Sequence, residues 1–209
     1  MKRTKTGFLV IAAIAAIAGL GCDRPAEAHP ASDGQKLEDT TAMIVDSILP
    51  SGVALQRFQS ELVPVHGLSA RVRSRDELVT RFVRAIESDD TATLETLLVS
   101  KAEYAFLYFP TSIYSRKPYE LPPGIAWLLS EQNSQKGLTR VTRRLGGKKL
   151  NYGGYECSTT VSEGENRFWR TCLVDYVDPS SGQRVSKRLF GAIMEHAGRY
   201  KFLSYANDF

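Results

Sequence analysis

The sequence predicts an α+β domain in which N-terminal helices pack on a C-terminal four-stranded antiparallel meander sheet. Up to about residue 149, apolar residues recur every three or four positions, which is the helical period. From Leu150 onward, apolar and polar residues alternate, and short turn sequences separate the alternating segments. Because helices precede strands instead of alternating with them, we expect the helices to cover one face of the sheet.

The chain begins with a short apolar segment that ends at Cys22 and is preceded by three basic residues. A membrane span needs about 20 apolar residues, and this run is shorter and stops at Asp23. An ordinary secretory signal would end in an Ala-x-Ala-like site. Residues 19–22, Gly-Leu-Gly-Cys, resemble instead the lipobox of bacterial lipoproteins. The resemblance implies a signal peptide at residues 1–21 and acyl chains on the mature N-terminal Cys22.

This resemblance implies a location in the cell envelope, where the acylated cysteine ties the chain to a lipid bilayer and the rest faces the periplasm or the exterior. Two or more acyl chains give stable anchoring, whereas one chain does not. Removing Lys2, Arg3 and Lys5 with the signal reduces the 27 basic residues to 24 against 23 acidic ones, a net charge of +1. A nearly neutral chain gives no electrostatic reason to expect a nucleic-acid partner.

Three regions are predicted after the signal. Residues 22–38 are polar, rich in Ala, Pro, Ser and Asp and without an apolar period, which predicts a flexible tether. Residues 39–70 predict a helical lead-in that is split at Pro50 and either packs on the domain or mediates an interface. The α+β domain is expected to cover residues 71–209.

The clearest helix of the domain is predicted to begin after Ser74. Ser74 and Glu77 form a capping-box pattern, in which the hydroxyl accepts from a free amide and the carboxylate reaches back. A broad apolar face follows, and a polar break at residues 88–90 ends it. A second, short helix is predicted over residues 91–99.

The next segment is aromatic and is expected to be helical in parts. Ser100 and Glu103 repeat the capping pattern and open an aromatic run that Pro110 stops. Pro123 can occupy the first turn of a further helix. A last, separate helix is predicted to close at Gly146. Four strands are then predicted, over residues 152–161, 168–177, 185–194 and 200–205.

Two cysteines remain after the signal, and we expect them to form a disulfide bond. Counting outward from a turn centred on Gly164 and Glu165 puts Cys157 opposite Cys172. Directly opposed residues lie about 4.5–5.5 Å apart at Cα, a separation that a disulfide accepts. Free thiols and a metal pair are the alternatives, but two cysteines without nearby histidine make a poor zinc site.

The order of elements over residues 76–99 has a particular pattern: a helix, a short polar break and a brief leucine-rich helix. A further helix and a meander follow. This pattern resembles the cone-shaped NTF2-like superfamily, in which helices close over a bent sheet and leave a pocket. The aromatic segment over residues 102–133 is larger than is usual there. Enzymes of the superfamily often use an Asp/His pair in the pocket, and this sequence offers no such pair.

Two candidate sites stand out, each with a structural alternative. Tyr104, Tyr108 and Trp127 can line an apolar pocket whose hydroxyls orient a ligand, with Glu103 as a polar group. The alternative is that these aromatic residues form core and Glu103 only caps a helix. The second site is an uninterrupted basic run that can contact anionic headgroups, or that is simply the solvated face of a helix. Its members are Arg140, Arg143, Arg144, Lys148 and Lys149.

No catalytic motif, no metal-ligand cluster and no cofactor motif is evident in the sequence. The sequence therefore favours a membrane-anchored, non-catalytic lipoprotein that binds an unknown protein or small molecule. One alternative is an NTF2-like enzyme that acts on a small apolar molecule through carboxylate and tyrosine groups. A second alternative is an envelope-assembly accessory protein that uses the lead-in as its interface.

Overall fold

A computed structural model describes residues 49–209 of the chain. The predicted signal peptide with Cys22, the predicted tether and residues 39–48 of the predicted lead-in therefore lie outside the described residues. The described residues belong to one compact unit.

The architecture is α+β, with helices followed by an open antiparallel sheet of five strands. The α-helices are α1 (Ser51–Ser60), α2 (Arg75–Glu87), α3 (Thr91–Thr96), α4 (Lys101–Glu103) and α5 (Pro123–Leu145). A π-helical turn (Tyr104–Tyr108) follows α4, and two 3₁₀ turns (Phe109–Thr111 and Ile113–Ser115) follow that turn. The strands are β1 (Gly154–Glu163), β2 (Asn166–Val177), β3 (Arg184–Lys187), β4 (Ile193–His196) and β5 (Arg199–Phe202).

Local capping starts the helices where the sequence predicts it. The Ser74 hydroxyl accepts from the Glu77 amide at 3.1 Å, although the Glu77 carboxylate accepts from the amide of Arg73 rather than that of Ser74. At the start of α4, Ser100 and Glu103 form both halves of a capping box. Each cap satisfies amides that the first helical turn leaves without partners.

The prediction of two helices between Pro123 and Leu145 is wrong, because one continuous helix of 23 residues spans them. Pro123 occupies its first turn, where the missing amide hydrogen costs nothing. The polar stretch in the middle of α5 faces solvent for most of its length, so the helix continues through it without an apolar period. Gly147, with φ of 70°, follows the helix end.

The sheet contains five strands, so the prediction of four is also wrong. Residues 185–194 form two strands rather than one, β3 and β4, which pair with opposite ends of β2. Thr171, with φ of 51°, distorts β2 between these two ends. Leu189 and Phe190, in the segment between β3 and β4, are fully buried although they belong to no strand. Their apolar side chains make the sequence of the two strands look like one continuous strand.

The strand order is β1-β2-β4-β5, and β3 pairs with the C-terminal end of β2. Two apolar clusters cover the sheet. Trp169 and Ile193 belong to the cluster under α2, α3 and α5, whereas the next residues along, Phe168 and Met194, belong to a cluster with Tyr104. Because successive strand residues point to opposite faces, this end of the sheet is covered on both sides. The expectation that helices cover one face of the sheet holds only for the end formed by β1, β3 and the C-terminal part of β2.

The disulfide prediction is confirmed. Cys157 and Cys172 are directly opposed in the β1–β2 hairpin and are joined by a disulfide bond. Glu163 and Asn166 form the last pair of the hairpin, so that Gly164 and Glu165 make the turn between them. Gly164 supplies the positive φ, 59°, that the first turn position requires.

Candidate functional site

The tyrosine cleft is an open cavity of about 340 Å³ between the π-helical turn, the first half of α5 and the chain after β5. Three phenols contribute to it, those of Tyr104, Tyr108 and Tyr114. Apolar side chains form much of the remaining wall: Leu121, Ala126, Leu129, Leu203 and Ala206. Three small polar residues complete the lining: Ser130, Asn133 and Ser204. The cleft therefore combines an apolar wall with a few hydrogen-bonding groups, which is typical of small-molecule sites.

Two phenols of this cleft, those of Tyr104 and Tyr108, are close to each other and stay protonated at neutral pH. Burial raises the pKa of Tyr104, and the neighbouring phenols of Tyr108 and Tyr114 raise it further. Burial is also the largest cause of the raised pKa of Tyr108, followed by the carboxylate of Glu163. A protonated phenol donates and accepts hydrogen bonds but is not a base at neutral pH. Among residues 49–209, no Asp, Glu, His, Lys or Arg lines the cleft.

Two residues that the sequence grouped with this pocket lie elsewhere. The Trp127 ring packs edge-on against Tyr104 at 5.1 Å between centroids, but Trp127 lines a neighbouring groove instead. Glu103 is buried, and its carboxylate accepts from the amides of Ser69 and Ser100 at 2.6 and 2.7 Å. It also pairs with the buried ammonium of Lys201 at 2.9 Å.

These contacts make Glu103 a structural group. Burial disfavours its ionised form, but the amides of Ser100 and Ser69 together with Lys201 outweigh burial and lower its pKa. The Lys201 ammonium also donates to the carbonyl of Leu98 at 3.0 Å. Both carboxylate oxygens are therefore occupied by protein donors, and Glu103 offers nothing to a ligand in the tyrosine cleft.

A second cleft, the histidine cleft, contains residues to which the sequence assigned no site. It has a volume of about 570 Å³, and His66, Thr111, Glu165, Asn166 and His196 contribute to its lining. The buried His196 contacts the buried Asn166, with 2.8 Å between Nδ1 and Oδ1. Asn166 donates from Nδ2 to the carbonyl of Leu107 at 2.7 Å, so its Oδ1 is the acceptor. Nδ1 of His196 is therefore the donor in this hydrogen bond.

Glu163 is a second residue whose role the sequence did not indicate. Glu163 flanks the hairpin turn, yet it is only 7% exposed and pairs with Arg170 at 2.8 Å. Its other oxygen, Oε2, is buried and has no partner among the described residues. No sequence signal indicated this burial, because a glutamate that flanks a turn is usually solvated. Tyr108 is near enough for the charge of Glu163 to raise its pKa, and the Thr111 side chain lies against the neighbouring Gly164.

The basic run predicted from the sequence is exposed throughout. Arg140, Arg143 and Arg144 lie on α5, and Lys148 and Lys149 follow its end. None of the five makes an ion pair with any residue in the described range 49–209. Arg144 contacts the Phe209 ring at 5.1 Å, and Lys148 donates to the Arg144 carbonyl. The run therefore keeps its positive charges available at the surface.

Within residues 49–209, no three His, Cys, Asp or Glu side chains are grouped so as to hold a metal ion. No helix in the same range is both long and apolar enough to cross a bilayer. Comparison with protein-family models, curated proteins and solved structures found no match to this chain.

Proposed function

We propose that this chain is a membrane-anchored lipoprotein of the cell envelope whose α+β domain binds a small, largely apolar molecule in the tyrosine cleft without chemical conversion. The lining of the cleft carries this proposal. Burial keeps the phenols of Tyr104 and Tyr108 protonated, much of the wall is apolar, and no Asp, Glu, His, Lys or Arg within residues 49–209 lines the cleft. Such a site can orient a ligand through hydroxyl and amide groups but supplies no general base.

Anchoring through acylated Cys22 remains part of the proposal, and the lipobox-like sequence supports it. The disulfide bond is consistent with an exported chain, because disulfides persist in oxidising compartments outside the cytoplasm. We also propose that the domain is NTF2-like. The support is the order of elements and the position of the tyrosine cleft between helices and the end of the sheet.

Native mass spectrometry of the full chain, purified from bacterial membranes, tests the proposal. The spectrum is expected to show a chain that begins at Cys22 with added acyl mass. Titration with N-phenyl-1-naphthylamine, a neutral apolar probe, is expected to give a one-to-one adduct. Ala126→Phe fills the cleft and is expected to abolish the adduct. Tyr114→Phe removes one hydroxyl and is expected to weaken binding by up to about tenfold, as for one hydrogen bond.

Tyr176→Phe is the matched control, because its hydroxyl is buried outside the cleft and has no partner among the described residues. This variant is expected to bind the probe like the wild type. A ligand site in the tyrosine cleft would be contradicted if the Ala126→Phe variant bound the probe as well as the wild type does. It would also be contradicted if neither the wild type nor any variant formed an adduct. An unmodified N-terminal cysteine would contradict the anchor. It would not affect the ligand site, which the probe adduct tests independently.

One observation favours an enzyme as the second candidate function. Glu163 has a buried Oε2 without a partner among the described residues, and the charge of its carboxylate is close enough to Tyr108 to raise the pKa of that phenol. A carboxylate and a phenol together can move a proton on a small apolar substrate. This candidate would be favoured if the wild type converted a copurifying molecule into a chemically altered product and the Glu163→Gln variant did not.

A further inference from the structure

The solvent side of α5 changes character along the length of the helix. The helix has 23 residues and is therefore about 34 Å long. Residues spaced by three, four or seven positions share one side of a helix, which aligns Ile125, Leu129, Lys136, Arg140 and Arg143. We call this side, together with Leu128, the outer face of α5. The opposite side faces the protein core.

The first half of the outer face is apolar. Ile125, Leu128 and Leu129 are 50%, 45% and 50% exposed, although each is a large aliphatic side chain. Two exposed tyrosines precede α5. Tyr114, in the second 3₁₀ turn, lines the same cleft as Leu129, and Tyr119 packs against Tyr114 with 5.8 Å between ring centroids. Contiguous exposed apolar residues of this kind usually mark a surface that another molecule covers.

The second half of the outer face is basic. Lys136, Arg140 and Arg143 are exposed on it, and Arg144, Lys148 and Lys149 continue the charge at the helix end. The sequence contains no Asp or Glu from residue 132 to residue 155. Acids near this surface are the exposed Glu131, Asp89, whose carboxylate lies beside Gly146, and Asp178, whose pKa is lowered by Ser180 and also by the charge of Arg144. The face as a whole thus carries a large excess of positive charge.

We propose that the outer face of α5 docks on an anionic lipid bilayer, with its apolar half at the level of the acyl chains and its basic half on the headgroups. Apolar and aromatic residues beside clustered Lys and Arg are the composition of helices that lie at membrane interfaces. Positive charges near an anionic leaflet each strengthen binding about fivefold. A protein partner would need a matching acidic and apolar surface, whereas a bilayer supplies both.

The length of the chain between Cys22 and the first described residue supports this occupant. The described part begins at Leu49, immediately before α1, and α1 contacts α5. Between Cys22 and Leu49, a fully extended chain reaches roughly 90 Å. The inference rests on the proposed anchor, which would hold the domain within this distance of the membrane. Docking would also turn the mouth of the tyrosine cleft, at Tyr114 and Leu129, toward the lipid.

The test uses the full lipoprotein with one added thiol that carries the environment-sensitive fluorophore NBD. Leu128→Cys places the label on the outer face. Glu156→Cys is the matched control, because Glu156 lies opposite the exposed Leu173 on the sheet face turned away from α5. With vesicles containing phosphatidylglycerol, the label at position 128 is expected to brighten severalfold and to shift to the blue. With pure phosphatidylcholine vesicles, or at position 156, little change is expected.

Charge variants separate docking from general adsorption. Replacing Arg140 and Arg143 by Glu is expected to abolish the change at position 128, whereas replacing both by Lys is expected to retain it. In 1 M salt the change is expected to shrink, because the screening length falls to about 3 Å. A silent label at position 128, equal changes at both positions, or brightening that depends on protein concentration without vesicles would each overturn the proposal.

Failure of the anchor is visible separately in the same experiment. An acylated Cys22 cannot react with the fluorophore, so incorporation into the wild-type chain would show a free thiol. Flotation with phosphatidylcholine vesicles measures anchoring without docking. If the anchor failed, the same labels in a Cys22→Ser background would still decide whether the outer face of α5 binds anionic vesicles.

Discussion

Glu103 and Lys201 form a buried ion pair, in which each residue holds the charge of the other inside the protein. Their side chains are 2% and 3% exposed. Every oxygen of the carboxylate accepts a hydrogen bond, from Ser69, Ser100 or Lys201. Such a pair contributes little net stability compared with apolar residues of the same volume, but removing one partner leaves a buried charge without compensation. The pair also joins the cap of α4 to β5.

We expect Glu103→Gln to lower the free energy of unfolding by about 3–5 kcal/mol at pH 7, because Lys201 is left buried without a counter-charge. Urea denaturation measures the change. The control is Glu77→Gln, which removes the exposed pair with Arg81 and is expected to have a small effect. Combining Glu103→Leu with Lys201→Met is expected to cost less than the single substitution, since it leaves no buried charge.

The effect of Glu103→Gln is also expected to depend on pH. The pKa of Glu103 in the folded protein is lowered from its ordinary value of 4.5, so its ionised form stabilises the fold above that value. This contribution is lost as the pH falls through the folded-state pKa. The difference between wild type and variant should therefore shrink from pH 7 toward pH 3. A difference that stays constant over this range would contradict the assignment.

At the scale of elements, the β1–β2 hairpin is the part of the fold that short-range rules control best. Its register follows from the turn at Gly164 and Glu165, and the register in turn opposes Cys157 to Cys172. The disulfide closes a loop with a sequence separation of 15 residues. It therefore restricts the unfolded chain near the centre of the hairpin, where Thr171 distorts β2.

Replacing both Cys157 and Cys172 by Ala is expected to lower the free energy of unfolding by about 3 kcal/mol, as the chain-entropy model predicts for a loop of this size. Thermal denaturation with and without dithiothreitol measures the effect. Reductant should destabilise the wild type by a similar amount and leave the double variant unchanged. Equal stability of the oxidised wild type and the double variant would show that the bond adds nothing.

At the scale of the whole molecule, the seam between α5 and the chain after β5 joins the helical layer to the C-terminus. Ser134 accepts from the amide of Tyr205 at 2.8 Å, and Asn207 donates to the Gly137 carbonyl at 2.7 Å. The Tyr205 hydroxyl reaches the Leu94 carbonyl in α3. The backbones approach so closely at Gly137 that a Cβ there would lie 1.8 Å from the Tyr205 carbonyl oxygen.

Gly137→Ala is therefore expected to destabilise the domain by about 1–3 kcal/mol, even though Ala favours a helix, because the backbone at Tyr205 must move. The matched control is Gly52→Ala in α1, where an added Cβ has no atom within 4 Å and helix propensity alone should stabilise slightly. Chemical denaturation measures both. If both substitutions changed the free energy of unfolding by the same amount, the close approach of the backbones at Gly137 would not contribute to stability.

The sequence predicted the features that depend on neighbouring residues. The caps at Ser74 and Ser100 follow from side chains three positions away from their partners, and the hairpin register follows from one turn. The α+β order follows from the change of period near Leu150. For the candidate site, the sequence identified Tyr104 and Tyr108, because a dense aromatic run is conspicuous by composition. The lipobox-like signal likewise depends only on a short local pattern.

Only the tertiary structure decided which distant groups meet. Lys201 and Glu103 are 98 positions apart in the sequence, and His196 and Asn166 are 30 positions apart. No local sequence pattern predicts either contact. The separation of β3 from β4, the single long α5 and the burial of Glu163 likewise depend on what packs against each segment. The sequence by itself determined caps, register and periodicity, because these act over a few residues. Contacts between separate elements depend on packing geometry, which the local sequence does not encode.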